Sequence, residues 1–209
     1  MSAWSSPLIF GCWARRVPAI IDTSIGDAWT QIALSTVFRI ASSYFGALTS
    51  ARHQQESLVE VVSDADLSST LLQGLAGLSD ARRRFLNHNN FDELTNDAIQ
   101  SIEAILTQIA VACGGLEAKQ LGIKVDSAAA RVLNDAGLWE WHLLFVNDLR
   151  RHFDNRHRWS SETELLQLKG HLERLLWTIG VFVSQVDEGH WVDILDEERM
   201  LLFSSALRA

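Results

Sequence analysis

The sequence predicts an all-α protein, a single-domain antiparallel helical bundle of five to seven helices. Three observations carry that expectation. Only two prolines occur in 209 residues, Pro7 and Pro18, so from residue 19 onward none interrupts a helix. Apolar residues recur at helical spacing through several long runs. Hydrophobic content of 47% with 21% charged residues gives a chain of this length enough apolar side chains for one sizeable core.

Residues 1–20 carry Trp4, Pro7, Trp13 and Pro18 without periodicity and read as an N-terminal arm, with residues 21–209 as the helical domain. Asp22 or Thr23 is a candidate cap for a helix over 24–51, whose apolar positions include Ile25, Trp29, Val37, Ile40, Tyr44 and Leu48. A second helix is predicted over 55–76, ending near Gly74 and Gly77. A short arginine-rich piece follows at 79–86, closed by a turn at Asn87-His88-Asn89-Asn90. The stripe Phe91, Leu94, Ala98, Ile102, Ile105, Ile109 and Ala112 predicts a third helix that Gly114-Gly115 would stop. Residues 116–125 read as a linker. Asp126 or Ser127 then starts a helical stretch interrupted near Gly137, and Leu138–Arg151 continues it. Ser161 with Glu164 matches a capping box for a helix over 162–186, with Leu165, Leu168, Leu172, Leu176 and Ile179 inward. A short last helix is expected over 192–206.

The formal net charge of −8 argues against coating nucleic acid by bulk electrostatics, but leaves room for a local basic site. Fifteen arginines stand against three lysines. The excess suits planar, bidentate phosphate contacts, and equally fits background composition. Cys12 and Cys113 show no metal or disulfide spacing, which fits a reducing, cytoplasmic setting. The first residues place their positive charges after the apolar part, the reverse of a secretion signal. The apolar runs around 105–116 and 175–186 are short of a membrane span, so no membrane role is expected. No glycine-rich phosphate loop, Gly-x-Ser-x-Gly elbow or His-Glu-x-x-His helix occurs, and neither a metal nor a cofactor is expected. His142, His171 and His190 stand alone in the sequence.

The chemistry concentrates in one segment. Residues 150–158 hold four arginines and two histidines in nine positions. A histidine near neutral pKa can take a proton from a ribose 2′-hydroxyl, and an arginine can hold the phosphate and offset charge growing on its oxygens. Arg150 and His157 share a face on a continuous helix. Arg151 and His157 lie about 120° apart, so they converge only if the helix ends first.

Leu149-Arg150-Arg151-His152 followed by His157 resembles the Arg-x4–6-His signature of the HEPN superfamily of small helical ribonucleases, as Arg151-x5-His157 or Arg150-x6-His157. The resemblance covers about 138–186, a helix leading into the signature and a capped helix after it. It implies a HEPN-like bundle that forms a homodimer with one composite cleft. It also implies metal-independent endoribonuclease activity, commonly in toxin–antitoxin or antiviral defence systems, with an antitoxin or other protein as a further partner. His157 would then be the acid/base, Arg151 with Arg150 the phosphate holders, and His152 and Asn155 supporting polar groups. Arg156 and Arg158 would contact RNA. Arg82, Arg83 and Arg84 form either a further basic rim or a solvated face, and Arg83-x4-His88 repeats the same loose spacing. The competing expectation is a non-catalytic helical scaffold subunit, which ion pairing of the 151–157 segment within its own chain would favour.

Overall fold

The structure, a computed structural model, describes residues 16–20, 28–53, 62–158, 162–186, 189–196 and 199–200. It is an all-α bundle with one small sheet beside it. Among the described residues six helices form it: α1 (Ala28–His53), α2 (Asp64–His88), α3 (Phe91–Ala118), α4 (Ala128–Asp135), α5 (Trp139–Asn155) and α6 (Lys169–Thr178). Two 3-10 turns, Arg156–Arg158 and Glu162–Leu168, link α5 to α6.

The long helix α3 is the axis of the bundle. Its stripe Leu94, Ala98, Ile102, Ile105, Leu106 and Ile109 is buried, packed between α1 and α2. Arg39 reaches Glu103 and Tyr44 reaches Glu117, so α1 runs parallel to α3. Gly74 lies against Ile105, and Arg84 bonds Asp97, so α2 runs antiparallel. Both α3 and the segment Trp29–His53 of α1 are long and apolar enough to cross a membrane. In this fold the apolar stripe of α3 supplies the middle of the core.

Local chemistry accounts for several helix starts. The Ser63 hydroxyl accepts from the Asp66 amide at 3.1 Å, opening α2, and Ser127 does the same for Ala130 at α4. The turn expected at 87–90 is confined to Asn89, left-handed (φ 52°), and Asn90, which caps α3. Gly137, at φ 66°, separates α4 from α5 as its position suggested.

Three expected boundaries fall elsewhere, and glycine is the reason in each. The second helix does not end near Gly74 and Gly77, and the 79–86 piece is not separate: α2 runs unbroken to His88. A Cβ on Gly77 would lie 2.6 Å from Ser101 Oγ, so these glycines let α3 approach rather than end a turn. Gly114-Gly115 does not stop α3. A Cβ on Gly114 would lie 2.6 Å from the Tyr44 carbonyl oxygen, because α1 crosses there. The helix continues to Ala118 through the first part of the expected linker.

The third case is Gly180. Its φ of 68° ends α6 early. The helix expected over 162–186 is therefore a 3-10 turn, the ten residues of α6 and a strand, β2 (Val181–Val186). The strand β3 (Gly189–Ile194) occupies the start of the expected last helix. β3 pairs antiparallel with β2 and with β1 (Arg16–Ile20), giving the order β1-β3-β2. Residues 16–20 of the expected arm are thus an edge strand, the place in a sheet that tolerates Pro18. Val181, Val192 and Ile194 are buried and close one side of the core. The leucine stripe of 165–176 with Ile179 is buried as expected. Asp22, Thr23, Ser161, residues 1–15 and the start of the second helix at 55 lie outside the described residues.

Candidate functional site

Three helix C-termini meet at one end of the bundle, those of α1, α3 and α5. The last turn of α3 brings Glu117 there. Its carboxylate accepts from Arg150 Nε at 2.7 Å and from the Tyr44 hydroxyl at 2.6 Å. Burial alone would raise the Glu117 pKa, but these hydrogen bonds outweigh it and hold the carboxyl below its usual range. Tyr44 is pushed well above the usual phenol range, first by burial and then by the Glu117 hydrogen bond. Arg150 is thereby a strut between α5 and α3, with its side chain still half exposed.

Arg151 points another way. It is 57% exposed and makes an i,i+3 pair with Asp148 at 3.2 Å, a contact worth a few tenths of a kcal/mol. His152 was expected as a polar cleft group. It is instead buried at 5% exposure, because it continues the inward stripe Trp141, Phe145, Asp148 and His152 of α5. Burial foremost, and the nearby Arg151 charge, lower its pKa.

The same stripe yields an arrangement that sequence reasoning missed. His171 of α6 stood alone in the sequence. Its Nε2 meets Asp148 Oδ2 at 3.0 Å, while the rings of Trp141 and Phe145 lie 5.9 and 5.1 Å from its own. Burial lowers the His171 pKa, and the Asp148 contact offsets part of that. The available signal was a carboxylate on an otherwise inward helical stripe, which demands a partner.

Helix α5 stops where side chains satisfy its last carbonyls. Asn155 Nδ2 donates to the Arg151 carbonyl at 2.9 Å, and Arg156 donates to that of Phe153 at 2.7 Å. Asn155 is therefore a helix-end group here. The chain then tightens into the 3-10 turn holding Arg156, His157 and Arg158, all exposed. His157 and Arg158 make no hydrogen bond or ion pair among the described residues. The α-helix thus ends before His157, and the chain continues helically as the 3-10 turn.

The other arginines are elsewhere. Arg84 bonds Asp97 at 2.5 Å near the start of α3, twenty residues before Glu117, or about 30 Å at helical rise. Arg83 pairs with Asp80 at 2.7 Å, and Arg82 donates to the Leu195 carbonyl at 3.0 Å, tying α2 to the end of β3. Arg82–Arg84 thus form no rim beside residues 150–158. The basic end gains instead Arg52 and His53, the last residues of α1. Arg52 lies over the Phe153 ring, and sequence separation had hidden it. Among the described residues no group of three or more His, Cys, Asp or Glu side chains is placed to hold a metal ion.

No family model, curated protein or solved structure matches this chain.

Proposed function

We propose that this chain is a metal-independent endoribonuclease of the HEPN kind, working in the cytoplasm as a homodimer within a toxin–antitoxin or antiviral defence system. The observation that carries the reading is the change from α to 3-10 geometry at Arg156. It leaves His157 exposed beyond a helix end that still presents Arg151. In the proposed step His157 takes the 2′-hydroxyl proton as that oxygen attacks phosphorus. The P–O5′ bond breaks, leaving a 2′,3′-cyclic phosphate, and the departing 5′-oxygen gains a proton from a second acid, the partner's histidine or water. Arg151 holds the phosphate, having only a weak surface pair to give up. Arg158 is exposed in the same turn as His157 and extends the contact along the strand. The test is RNA cleavage in EDTA by wild type, Arg151→Ala and His157→Ala. Cleavage to cyclic phosphate ends in wild type alone is expected, and equal activity in all three would refute the assignment.

A second reading is favoured by one specific observation. Arg150 and Glu117 are spent within the chain, as they would be in a non-catalytic scaffold subunit of a defence or nucleic-acid complex. Inactivity of wild type on RNA, with an intact fold and its protein partner supplied, would favour that reading.

A further inference from the structure

Two guanidinium groups more than a hundred residues apart in sequence lie within cation–π range of one ring. Arg156 Cζ lies 4.0 Å, and Arg52 Cζ 5.4 Å, from the centroid of Phe153, which puts the two cations within about 9 Å of each other. The ring is a fixed platform. Phe153 is buried and packs edge-on against Phe45 and Tyr44, with centroids 5.2 and 6.4 Å away. Arg150, anchored on Glu117, adds a third cation at the same end.

The local charge is not balanced. Glu117 accepts from Tyr44 and Arg150 and also faces Arg52, while Asp148 and Glu164 lie near the neighbouring His152. Asp154 is exposed and pairs with none of these arginines among the described residues. His53, His157 and Arg158 are exposed and adjacent in sequence to the clustered arginines. The converging helix C-termini supply some negative field, and one Arg156 donor goes to the Phe153 carbonyl. A guanidinium carries five donors, and among the described residues most of those on Arg52 and Arg156 are unused. On a protein of net charge −8 this is a local excess of positive charge built on a rigid base.

We infer that Arg52 and Arg156, seated on Phe153, form a phosphodiester clamp for single-stranded nucleic acid, with His53 and Arg158 extending it. Planar guanidinium donors match phosphate oxygens in pairs, and guanidinium planes also stack on unpaired bases. RNA as the natural ligand rests on the ribonuclease reading, but the clamp does not require cleavage.

The test is fluorescence anisotropy of the full chain with a short 2′-O-methyl oligoribonucleotide, which has no 2′-hydroxyl to attack, and with the matching deoxy strand. Binding is titrated from about 50 mM to 200 mM salt in EDTA. Wild type is expected to bind both strands, because a phosphate clamp does not read the 2′ position. Arg52→Ala should weaken binding about five- to tenfold and reduce the slope of log K against log salt by about 0.7, with roughly twice that reduction when Arg156→Ala is added. Arg131→Ala, on the surface of α4, should change neither. Should Arg52→Ala fail to fold, Arg52→Gln, which keeps part of the stem over Phe153, must show the same reduction in slope. An unchanged slope in the Arg52 variants, no binding by folded wild type, or equal displacement by poly-glutamate would overturn the clamp. Arg52-dependent binding without cleavage of an unmodified strand would support the clamp and remove the nuclease reading.

Discussion

Asp148 meets His171 across the contact between α5 and α6, Oδ2 to Nε2 at 3.0 Å, while its other oxygen holds Arg151 at 3.2 Å. One carboxylate thus serves a half-buried histidine on one side and the proposed phosphate-holding arginine on the other. Asp148→Asn removes the charge that favours protonated His171. The His171 pKa should therefore fall further, and the histidine NMR titration reads it directly. An unchanged titration would mean that the contact is absent in solution.

His142, His152 and His171 all have pKa values below the usual histidine range, with burial the largest cause in each. The unfolded chain takes up protons that the native state refuses. Stability from these groups is complete above the unfolded value, about 6.5, and is lost as pH falls below it. The melting temperature should drop between pH 7 and pH 5, and His152→Gln should flatten that drop. A melting temperature independent of pH over this range would contradict the burial assigned to these rings.

Arg150 and Arg151 are neighbours in sequence with different tasks. Tyr44→Phe deletes a hydrogen bond to a charged group, expected to cost about 1.5–3 kcal/mol. Arg150→Ala should lower the urea midpoint as well, less than full burial would imply, because its side chain is 49% exposed. Arg151→Ala should leave the midpoint within about 0.5 kcal/mol and act on RNA cleavage instead. Equal destabilisation by the two arginine variants would remove the distinction between strut and phosphate holder.

Adjacent glycines should respond with opposite signs. Gly114→Ala forces a methyl group toward the Tyr44 carbonyl and the Leu48 amide, at a cost of about 1–3 kcal/mol. Gly115→Ala meets nothing within 4 Å and removes a helix-interior glycine, stabilising by about 0.5–1 kcal/mol. Denaturation of the pair checks the α1–α3 crossing, and two effects of the same sign would refute it.

Asp64 caps a helix that is not its own. Its carboxylate accepts from the Ala128 and Ala129 amides of α4 at 2.7 and 3.0 Å, and these backbone bonds, that of Ala129 foremost, hold its pKa low. Asp64→Ala should cost about 1 kcal/mol at neutral pH. The difference from wild type should shrink as pH falls through the carboxylate range, since protonation takes the cap from wild type too. A difference that persists at low pH would assign the loss to something other than the charge.

The helical class, the inward stripes and the turns at 89–90 and near Gly137 were legible because each depends on periodicity or on a cap a few residues away. The α5 break was legible for the same reason, being set by side chains reaching back three or four residues to their own helix. Glycine was ambiguous. Gly74, Gly77 and Gly114 pass through helices because another helix needs the space, whereas Gly180 ends one by adopting a left-handed φ, and a sequence does not say which. The sheet escaped notice because β1 and β3 pair across more than 160 residues. Within the basic segment, the sequence reading assigned Arg150 with Arg151 as phosphate holders, His152 as a supporting group and His157 as acid/base. Packing separated them: helix geometry sends successive residues about 100° apart, so one became a strut to Glu117, one a surface cation and one a buried ring, while the fourth lies exposed beyond the helix. The sequence by itself determined the helical class, the inward stripes and where chemistry gathers. Only the tertiary structure decided which charged groups are consumed by partners, because those partners, Glu117, His171 and Phe153 with Arg52, come from helices that meet only in the folded chain.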